Sequence, residues 1–191
     1  RHPRLVVGHV NGFGPKGPEA DKAMLDGAAQ ARGGITGLSG AGGEVPMPPG
    51  AAIADHAGGM QTALACVTGL LAREQTGRGQ LIQTSSLGAQ LWLQMWELQH
   101  SFMTRVPLTR EGSHHPNLKA PYGVYMTRDD VPIMYVAAMT DESWTTFWLF
   151  VDMPEALLLE QWDTPGKRIG YSGSDDGLAE IRDLMKTAIA L

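Results

Sequence analysis

Apolar positions change their spacing along the chain, and this change predicts alternating strands and helices in the first hundred residues. Residues 5–10 form a short, apolar, β-branched run, which is typical of a buried strand in a parallel sheet. Residues 80–85 are predicted as a second strand. Apolar residues at helical spacing predict three helices, over residues 21–32, 56–74 and 87–103. Asp55 is the predicted N-cap of the second of these helices.

The pattern changes after Thr104, where polar and turn-forming residues dominate as far as residue 120. Two strand-like runs, 122–126 and 133–138, then flank a turn at residues 127–130, which predicts a β-hairpin. A helix is predicted to begin at Asp141 or Ser143, and another covers about residues 176–191. We therefore expect an α/β fold with one domain over residues 1–104, a linker over 105–120 and a smaller α+β domain over 121–191.

The predicted helix that begins near residue 141 carries three aromatic residues, Trp144, Phe147 and Trp148. Aromatic side chains at helical spacing are most simply explained as packing in a core. We therefore expect them to form the core of the smaller domain.

A glycine-rich turn follows the first predicted strand. Gly12, Gly14 and Gly17 have the GxGxxG spacing that cradles a pyrophosphate in some nucleotide-binding proteins. Pro15 and Pro18 each remove a backbone N–H donor, which weakens that interpretation. A structural tight turn is therefore the preferred interpretation, with nucleotide binding as the alternative.

The composition excludes several classes of protein. The 191 residues are 43% hydrophobic and 18% charged, with a net charge of −5, so the chain is expected to fold and shows no basic stripe for nucleic acid. No apolar run reaches the roughly 18 residues of a membrane span. Cys66 is the single cysteine, which excludes an intrachain disulfide and a CxxC site. A reducing, cytoplasmic setting fits these features.

Metal and serine-hydrolase chemistry have weak support. Adjacent histidines such as His114 and His115 point in different directions, and neither they nor His56 have a cysteine or a cluster of acids nearby in sequence, so no metal site is expected. The pair Ser85 and Ser86 lacks the G-x-S-x-G setting of a hydrolase nucleophile.

Asp26 has two interpretations on its local sequence, of which composition alone favours the ordinary one. It is a lone acid among small and apolar neighbours, in the run AMLDGAAQ at residues 23–30. It can be an ordinary exposed helix carboxylate, which is usual for aspartate. Alternatively, it is a half-buried carboxylate whose small neighbours leave space for a substrate. The small neighbours also leave Asp26 few packing contacts to lose, so we expect its substitution to change stability little.

An ordered set of short motifs resembles the family III CoA-transferases, which include formyl-CoA and carnitine CoA-transferases, bile-acid-inducible proteins and α-methylacyl-CoA racemases. The motifs are PRLV (3–6), GFG (12–14) with GP (17–18), Asp26 with AQA (29–31) and Gly34, IAD (53–55) with GG (58–59), REQTGRGQ (73–80), and HPN (115–117) with APYG (120–123). No single motif is specific, but their order is. The chain is similar to an internal stretch of these longer proteins.

The resemblance implies a fold and a chemistry. It implies that residues 1–104 are part of a Rossmann-like large domain, and that Asp26 is the catalytic carboxylate that carries CoA as an aspartyl thioester. It further implies a flexible lid near residues 112–117 and contacts to an acyl-CoA substrate near Gly33, Gly34, Gly112 and Ser113. Backbone N–H groups in the Gly33–Gly34 region or near Gly112 are expected to stabilise an oxyanion. No metal is implied, and members form interlocked homodimers.

The sequence departs from the family pattern at several positions. Met24–Leu25 replaces the usual glycine and polar aromatic residue before the aspartate, and Gln83 and Gly88 stand where members often carry acids. These departures put the substrate class in doubt. An α-methylacyl-CoA racemase, in which the same aspartate is an acid or base, and an inactive fragment that lacks half of the CoA site remain open alternatives.

Overall fold

The computed structural model describes residues 2–118, 121–170 and 175–190. The chain divides into two compact units, one made of Arg1–Ser39 and Pro46–Pro107 and the other of Gly40–Val45 and Leu108–Leu191. Residues 40–45 thus pack with the second unit, although they were predicted in the first domain. Lys119 and Ala120 of the predicted linker, and Leu191 of the last predicted helix, lie outside the described residues. The assignment of the units to a large and a small family domain stays a prediction.

The first unit contains two strands and four helices among its described residues. They are β1 (Val7–Asn11), α1 (Asp26–Gly33), α2 (Ile53–Thr76), β2 (Leu81–Ser85), α3 (Ser86–Leu93) and α4 (Met95–Thr104). β1 and β2 pair in parallel, with Val7 opposite Leu81 and Asn11 opposite Ser85. The parallel type predicted for the first strand is therefore confirmed, and α2 lies between the two strands as the crossover that a parallel pair needs.

Small residues bring α2 close to the two-stranded sheet. A Cβ atom at Gly8 would lie 2.7 Å from the Cys66 Sγ atom, and a Cβ at Gly69 would lie 2.8 Å from Ile82 Cδ1. Val7 and Val10 nevertheless remain 42% and 44% exposed. The prediction of a buried strand is therefore wrong for the described chain, because periodicity reports apolar character and not what covers it.

The glycine-rich loop after β1 is a turn and does not open a helix. Gly14 and Gly17 have φ angles of 94° and 110°, in the region that favours glycine. Asn11 Oδ1 accepts a hydrogen bond of 2.6 Å from the Gly14 N–H. Helix α1 begins only at Asp26, so the helix N-terminus that a phosphate-binding loop requires does not follow directly. The geometry favours the structural turn.

Several helix boundaries differ from the predictions, and α1 begins at Asp26 rather than at residue 21. α2 begins at Ile53, three residues before the predicted start, so Asp55 lies inside the first turn and is not the N-cap. The single helix predicted over residues 87–103 is two helices, because the backbone of Gln94 leaves helical geometry between α3 and α4. The side chain of Gln94 is buried and donates a hydrogen bond to the carbonyl oxygen of Gly33.

The second unit packs a hairpin against helices. Its strands and helices are β3 (Gly123–Met126), β4 (Pro132–Tyr135), α5 (Asp141–Phe150), α6 (Pro165–Ile169) and α7 (Asp175–Ile189). β3 and β4 are antiparallel, as predicted. Trp144 and Trp148 are buried with Trp162 in the core, and Phe147 packs against it. The aromatic residues of α5 are therefore core residues, in agreement with the simplest interpretation of their spacing.

A buried arginine links three segments of this second core. The Arg168 side chain donates hydrogen bonds to the carbonyl oxygens of Ala138 (3.0 Å) and Trp162 (2.9 Å) and to Asp141 Oδ1 (2.5 Å). Its guanidinium carbon also lies 5.0 Å from the centroid of the Trp144 ring. A buried cation is tolerated here because each of its bonds ends on an oxygen.

Within residues 2–118, 121–170 and 175–190, no helix is both long and apolar enough to cross a membrane.

Candidate active site

The carboxylate of Asp26 lies where the N-termini of two helices meet. Asp26 is the first residue of α1, and its Oδ1 atom accepts hydrogen bonds from the backbone N–H groups of Ala54 (2.9 Å) and Asp55 (3.2 Å) in the first turn of α2. Its Oδ2 atom accepts a hydrogen bond of 2.5 Å from the side-chain amide of Gln30. Both carboxylate oxygens are therefore held, and by different elements.

Asp26 caps helix α2 from a distant part of the chain. The residue at the N-cap position of α2 is Ala52, which has no side chain able to accept a hydrogen bond. Ala54 and Asp55 are the second and third residues of the helix, whose N–H groups an N-cap side chain normally binds. The partial positive charge at a helix N-terminus favours an anion at this point. Asp26 provides both the missing acceptor and the negative charge.

Gln30 links Asp26 to the loop before α2. Its side chain is 2% exposed, and its Nε2 atom donates to Asp26 Oδ2 and, over 2.8 Å, to the carbonyl oxygen of Ala51. Gln30 follows Asp26 by four positions on α1, a spacing at which helical side chains meet. Sequence reasoning did not assign Gln30 a role, although this spacing and its place in the AQA motif are visible signals.

These contacts correct one expectation about Asp26. The carboxylate is partly buried, as the functional interpretation of its small neighbours proposed, rather than freely exposed. The expectation of few packing contacts left out hydrogen bonding, and Asp26 accepts three hydrogen bonds that a substitution can remove. The partners were not visible in the local sequence, since Ala54 and Asp55 follow Asp26 by 28 and 29 positions.

Gly33 and Gly34 lie at the opposite end of α1. A rise of about 1.5 Å per residue puts Gly33 about 10 Å from Asp26 along the helix. A Cβ atom at Gly33 would lie 2.3 Å from the Gln90 amide nitrogen, so any larger residue there would force the buried Gln90 side chain to move. Gly34 ends the helix with a φ of 94°, and its N–H donates to the Ala31 carbonyl. Their role in CoA binding stays a prediction, and the Gly34 N–H already has an acceptor.

Gly112 and Ser113, the other predicted CoA contacts, belong to the second unit. The Gly112 N–H donates to the Gly40 carbonyl, and the Ser113 carbonyl accepts from Val124. Backbone hydrogen bonds therefore connect the segment 111–118 to Gly40 and to Val124 of strand β3. The predicted lid and CoA-binding roles of this segment stay predictions.

His114 stands in a hydrogen-bonded chain within the same unit. Tyr125 donates its hydroxyl proton to the Pro121 carbonyl (2.9 Å), so His114 Nε2 is the donor in its 3.2 Å contact with the Tyr125 oxygen. Ser113 Oγ then donates to His114 Nδ1. Burial, with Arg182 nearby, lowers the pKa of His114 to about 4. This histidine is a neutral structural group at neutral pH.

An apolar groove of about 700 Å³ runs along the first turns of α2 and the end of α3. Its lining residues are Ile53, His56, Ala57, Met60, Gln61, Leu64, Ala89, Trp92 and Leu93. The groove starts at Ile53, next to the N–H groups that hold Asp26. Lysine and arginine are absent from this lining, so the groove suits an apolar group better than an anionic one.

Other candidate chemistry finds little support in the geometry. Ser85 Oγ accepts a hydrogen bond from the Gly88 N–H and caps α3, which is a structural role. Within residues 2–118, 121–170 and 175–190, no three His, Cys, Asp or Glu side chains cluster closely enough to hold a metal ion.

Comparison with protein families matches residues 1–190, almost the whole sequence, to "CoA-transferase family III". The β subunit of succinyl-CoA–L-malate CoA-transferase from Chloroflexus aurantiacus is 35% identical over 67% of this chain and 32% of its own length. Human succinyl-CoA:glutarate CoA-transferase is 25% identical over 87% of this chain and 37% of its own length. The chain thus spans about a third of these curated relatives.

Solved structures show the same fold. A CaiB/BaiF family protein from Brucella suis superposes with a TM-score of 0.74 and 24% identity, over 98% of this chain and 47% of that protein. A hypothetical protein from Mycobacterium tuberculosis superposes with a TM-score of 0.77 and 19% identity, over 97% of this chain and 47% of that protein. The mixed α/β architecture is therefore shared with larger proteins.

Proposed function

The chain belongs to CoA-transferase family III, and from this premise we propose that its protein moves CoA between an acyl-CoA thioester and a carboxylic acid, with Asp26 as the covalent carrier. The observation that supports this role is the fixed carboxylate of Asp26, whose two oxygens are bound separately by the α2 N-terminus and by Gln30. A nucleophile held in one orientation loses less entropy on reaching the transition state.

In the first half-reaction, an oxygen of Asp26 attacks the thioester carbonyl of the donor. The C–S bond breaks, CoA leaves as a thiolate, and a mixed anhydride between Asp26 and the acyl group forms. The thiolate then attacks the aspartyl carbonyl, the anhydride C–O bond breaks, and the donor acid leaves as a carboxylate. The product is an aspartyl-CoA thioester, so one difficult exchange is divided into two easier ones.

The second half-reaction repeats these steps with the acceptor acid. Its carboxylate attacks the aspartyl thioester carbonyl and releases the thiolate, forming a new mixed anhydride. The thiolate attacks the acceptor carbonyl, which gives the new acyl-CoA and restores the carboxylate of Asp26. Every step conserves charge and atoms and none changes an oxidation state, so the reaction needs no redox cofactor.

The backbone N–H groups of Ala54 and Asp55 have a second role in this proposal. When the thiolate or an acid attacks the aspartyl carbonyl, negative charge develops on the oxygen that stays attached as the carbonyl. Oδ1 is that oxygen, and two N–H groups at a helix N-terminus already point to it. Oδ2, which is held by a single side chain, is then the atom that attacks.

The relatives indicate the type of substrate pair. Their names combine succinyl-CoA with L-malate or glutarate, and other relatives combine formyl-CoA with oxalate. We propose the same general pair for this protein, an acyl-CoA and a carboxylate, acting in a homodimer. Racemisation of an α-methylacyl-CoA is the alternative within the family, where Asp26 exchanges a proton and forms no bond to carbon.

Chemical trapping separates transfer from racemisation. The complete protein that carries these residues is incubated with succinyl-CoA, and hydroxylamine is then added, which converts an aspartyl anhydride or thioester to a hydroxamate. Peptide mapping is expected to find the hydroxamate at Asp26. An unmodified Asp26 in a preparation that turns over acyl-CoA would show that the covalent mechanism is wrong.

A further inference from the structure

The orientation of the Gln30 side chain is fixed by its neighbours. Both atoms within reach of its Nε2 atom, Asp26 Oδ2 and the Ala51 carbonyl oxygen, are acceptors only. Turning the amide over would place Oε1 against two acceptors and remove both bonds. Gln30 therefore presents its two N–H groups to these atoms.

This orientation leaves the other end of the amide unsatisfied. The Oε1 atom of Gln30 is buried and has no hydrogen-bond partner. An unpaired buried acceptor is destabilising, because it has lost its hydrogen bonds to water. An amide that served only to fill space would be replaced at lower cost by an apolar side chain of the same size. Glutamine differs from such an apolar side chain by the two hydrogen bonds that it donates, so these bonds account for its presence at position 30.

The two donated bonds act on the two parts that position Asp26. One holds Oδ2 directly, and the other holds Ala51, two residues before the start of α2. The N–H groups of that helix bind Oδ1. Gln30 thereby restricts rotation of the carboxylate and fixes the helix start against which it rests.

We propose that Gln30 is a positioning residue that selects Oδ2 of Asp26 as the attacking oxygen. The proposal rests on the proposed function, in which Asp26 is the nucleophile. One donor on Oδ2 leaves a second lone pair on that oxygen for the substrate, whereas Oδ1 has both of its bonds to backbone N–H groups. Without Gln30 the Ala54 and Asp55 N–H groups still bind one oxygen of the carboxylate, but no donor fixes the direction of the other.

The test uses Gln30→Met, which retains length and burial but removes both donors. In the complete protein, we expect kcat for CoA transfer from succinyl-CoA to fall about 10- to 100-fold, since small errors in orientation are costly, while KM for succinyl-CoA changes little. Gln94→Met is the matched control, because it removes the buried amide bond to Gly33 and does not contact Asp26.

A second variant gives a readout that a structural role would not produce. In Gln30→Glu, the protonated side chain donates one hydrogen bond to Oδ2, whereas the ionised side chain repels Asp26. We expect its kcat, relative to wild type, to rise as pH falls through the titration of this new carboxyl group. This comparison also decides the proposal if Gln30→Met does not fold.

The outcomes separate this inference from the function on which it rests. If Asp26→Asn is inactive and Gln30→Met has wild-type kcat, the positioning role is wrong and the nucleophile stands. An equal fall in kcat for Gln30→Met and Gln94→Met, with no change in the relative pH profile of Gln30→Glu, also overturns it. Full transfer activity in Asp26→Asn would overturn the proposed function itself.

Discussion

Asp26 Oδ1 lies 2.9 Å from the backbone nitrogen of Ala54, and this bond joins the start of α1 to the start of α2. The same carboxylate is thus a helix cap and the proposed nucleophile. These two roles make different demands on the side chain, because a cap needs an acceptor oxygen and a nucleophile needs an anionic one. Substitutions can separate them.

Asp26→Ala is expected to affect both stability and activity. Loss of the cap should lower the free energy of unfolding by about 1 kcal/mol, and loss of the nucleophile should lower kcat by a factor on the order of 10⁴ or more. Asp26→Asn keeps an acceptor for Ala54 and Asp55, so its stability should lie closer to wild type, with the same loss of transfer. Urea unfolding and a coupled transfer assay measure the two effects. Equal stability of Asp26→Ala and wild type would contradict the cap role.

Arg168→Ala should be strongly destabilising. It removes the donors that satisfy the Ala138 and Trp162 carbonyls in the core, and we expect a loss of about 3–5 kcal/mol in the free energy of unfolding. Asp141→Asn is the control, because Asp141 is largely exposed and its ion pair should contribute less than about 1 kcal/mol. Thermal and urea unfolding test this. The interpretation fails if the two variants lose similar stability.

The lowered pKa of His114 predicts a loss of stability in mild acid. Its ordinary value is 6.5 and its folded value is about 4, so the unfolded chain binds the proton more readily between these values. The contribution of His114 is fully present above pH 6.5 and is lost as pH falls toward 4. Arg182 and Lys186 add to this effect, and Glu111 opposes it.

Because the ring is partly exposed and screened by water, we expect the effect of His114 to be no more than about 2 kcal/mol. His114→Gln retains a donor for Tyr125 and does not titrate, so it should show a flatter dependence of unfolding free energy on pH. Urea unfolding at pH 7, 5.5 and 4 measures this. If the unfolding free energies of wild type and His114→Gln fall equally with pH, His114 does not cause the loss of stability in acid.

Exposed apolar residues on the first unit predict association. Trp92 is 64% exposed on α3 and Phe102 is 70% exposed on α4, and Val7 and Val10 leave one strand uncovered. Such surfaces drive assembly. We expect the complete protein to be a dimer or larger, and Trp92→Glu with Phe102→Glu to lower its mass in light scattering. Gln75→Glu, at an exposed polar position, should leave the mass unchanged; a wild-type monomer at high dilution would refute the prediction.

Local pattern was enough to predict several elements of this fold. The β-branched run at residues 5–10 predicted a strand of the parallel type, and residues 80–85 predicted a second strand. The turn at residues 127–130 predicted the β3–β4 hairpin, because turn residues act through their own backbone conformation. The order of short motifs also identified the family, and it pointed to Asp26 as the candidate nucleophile, without any contact being known.

Tertiary structure alone decided the surroundings of Asp26. α2 starts at Ile53 and not at His56, because the side chain of Asp26 caps it. Asp26 precedes its bonding partner Ala54 by 28 positions. The local sequence around residues 53–56 therefore gives no sign of this cap. The break at Gln94 and the tight space at Gly33 likewise depend on α1 packing against α3. Periodicity shows which face of an element is apolar, but it does not show which residue from elsewhere will meet it. The sequence therefore determined the elements and the candidate nucleophile, and non-local hydrogen bonding decided how that nucleophile is held.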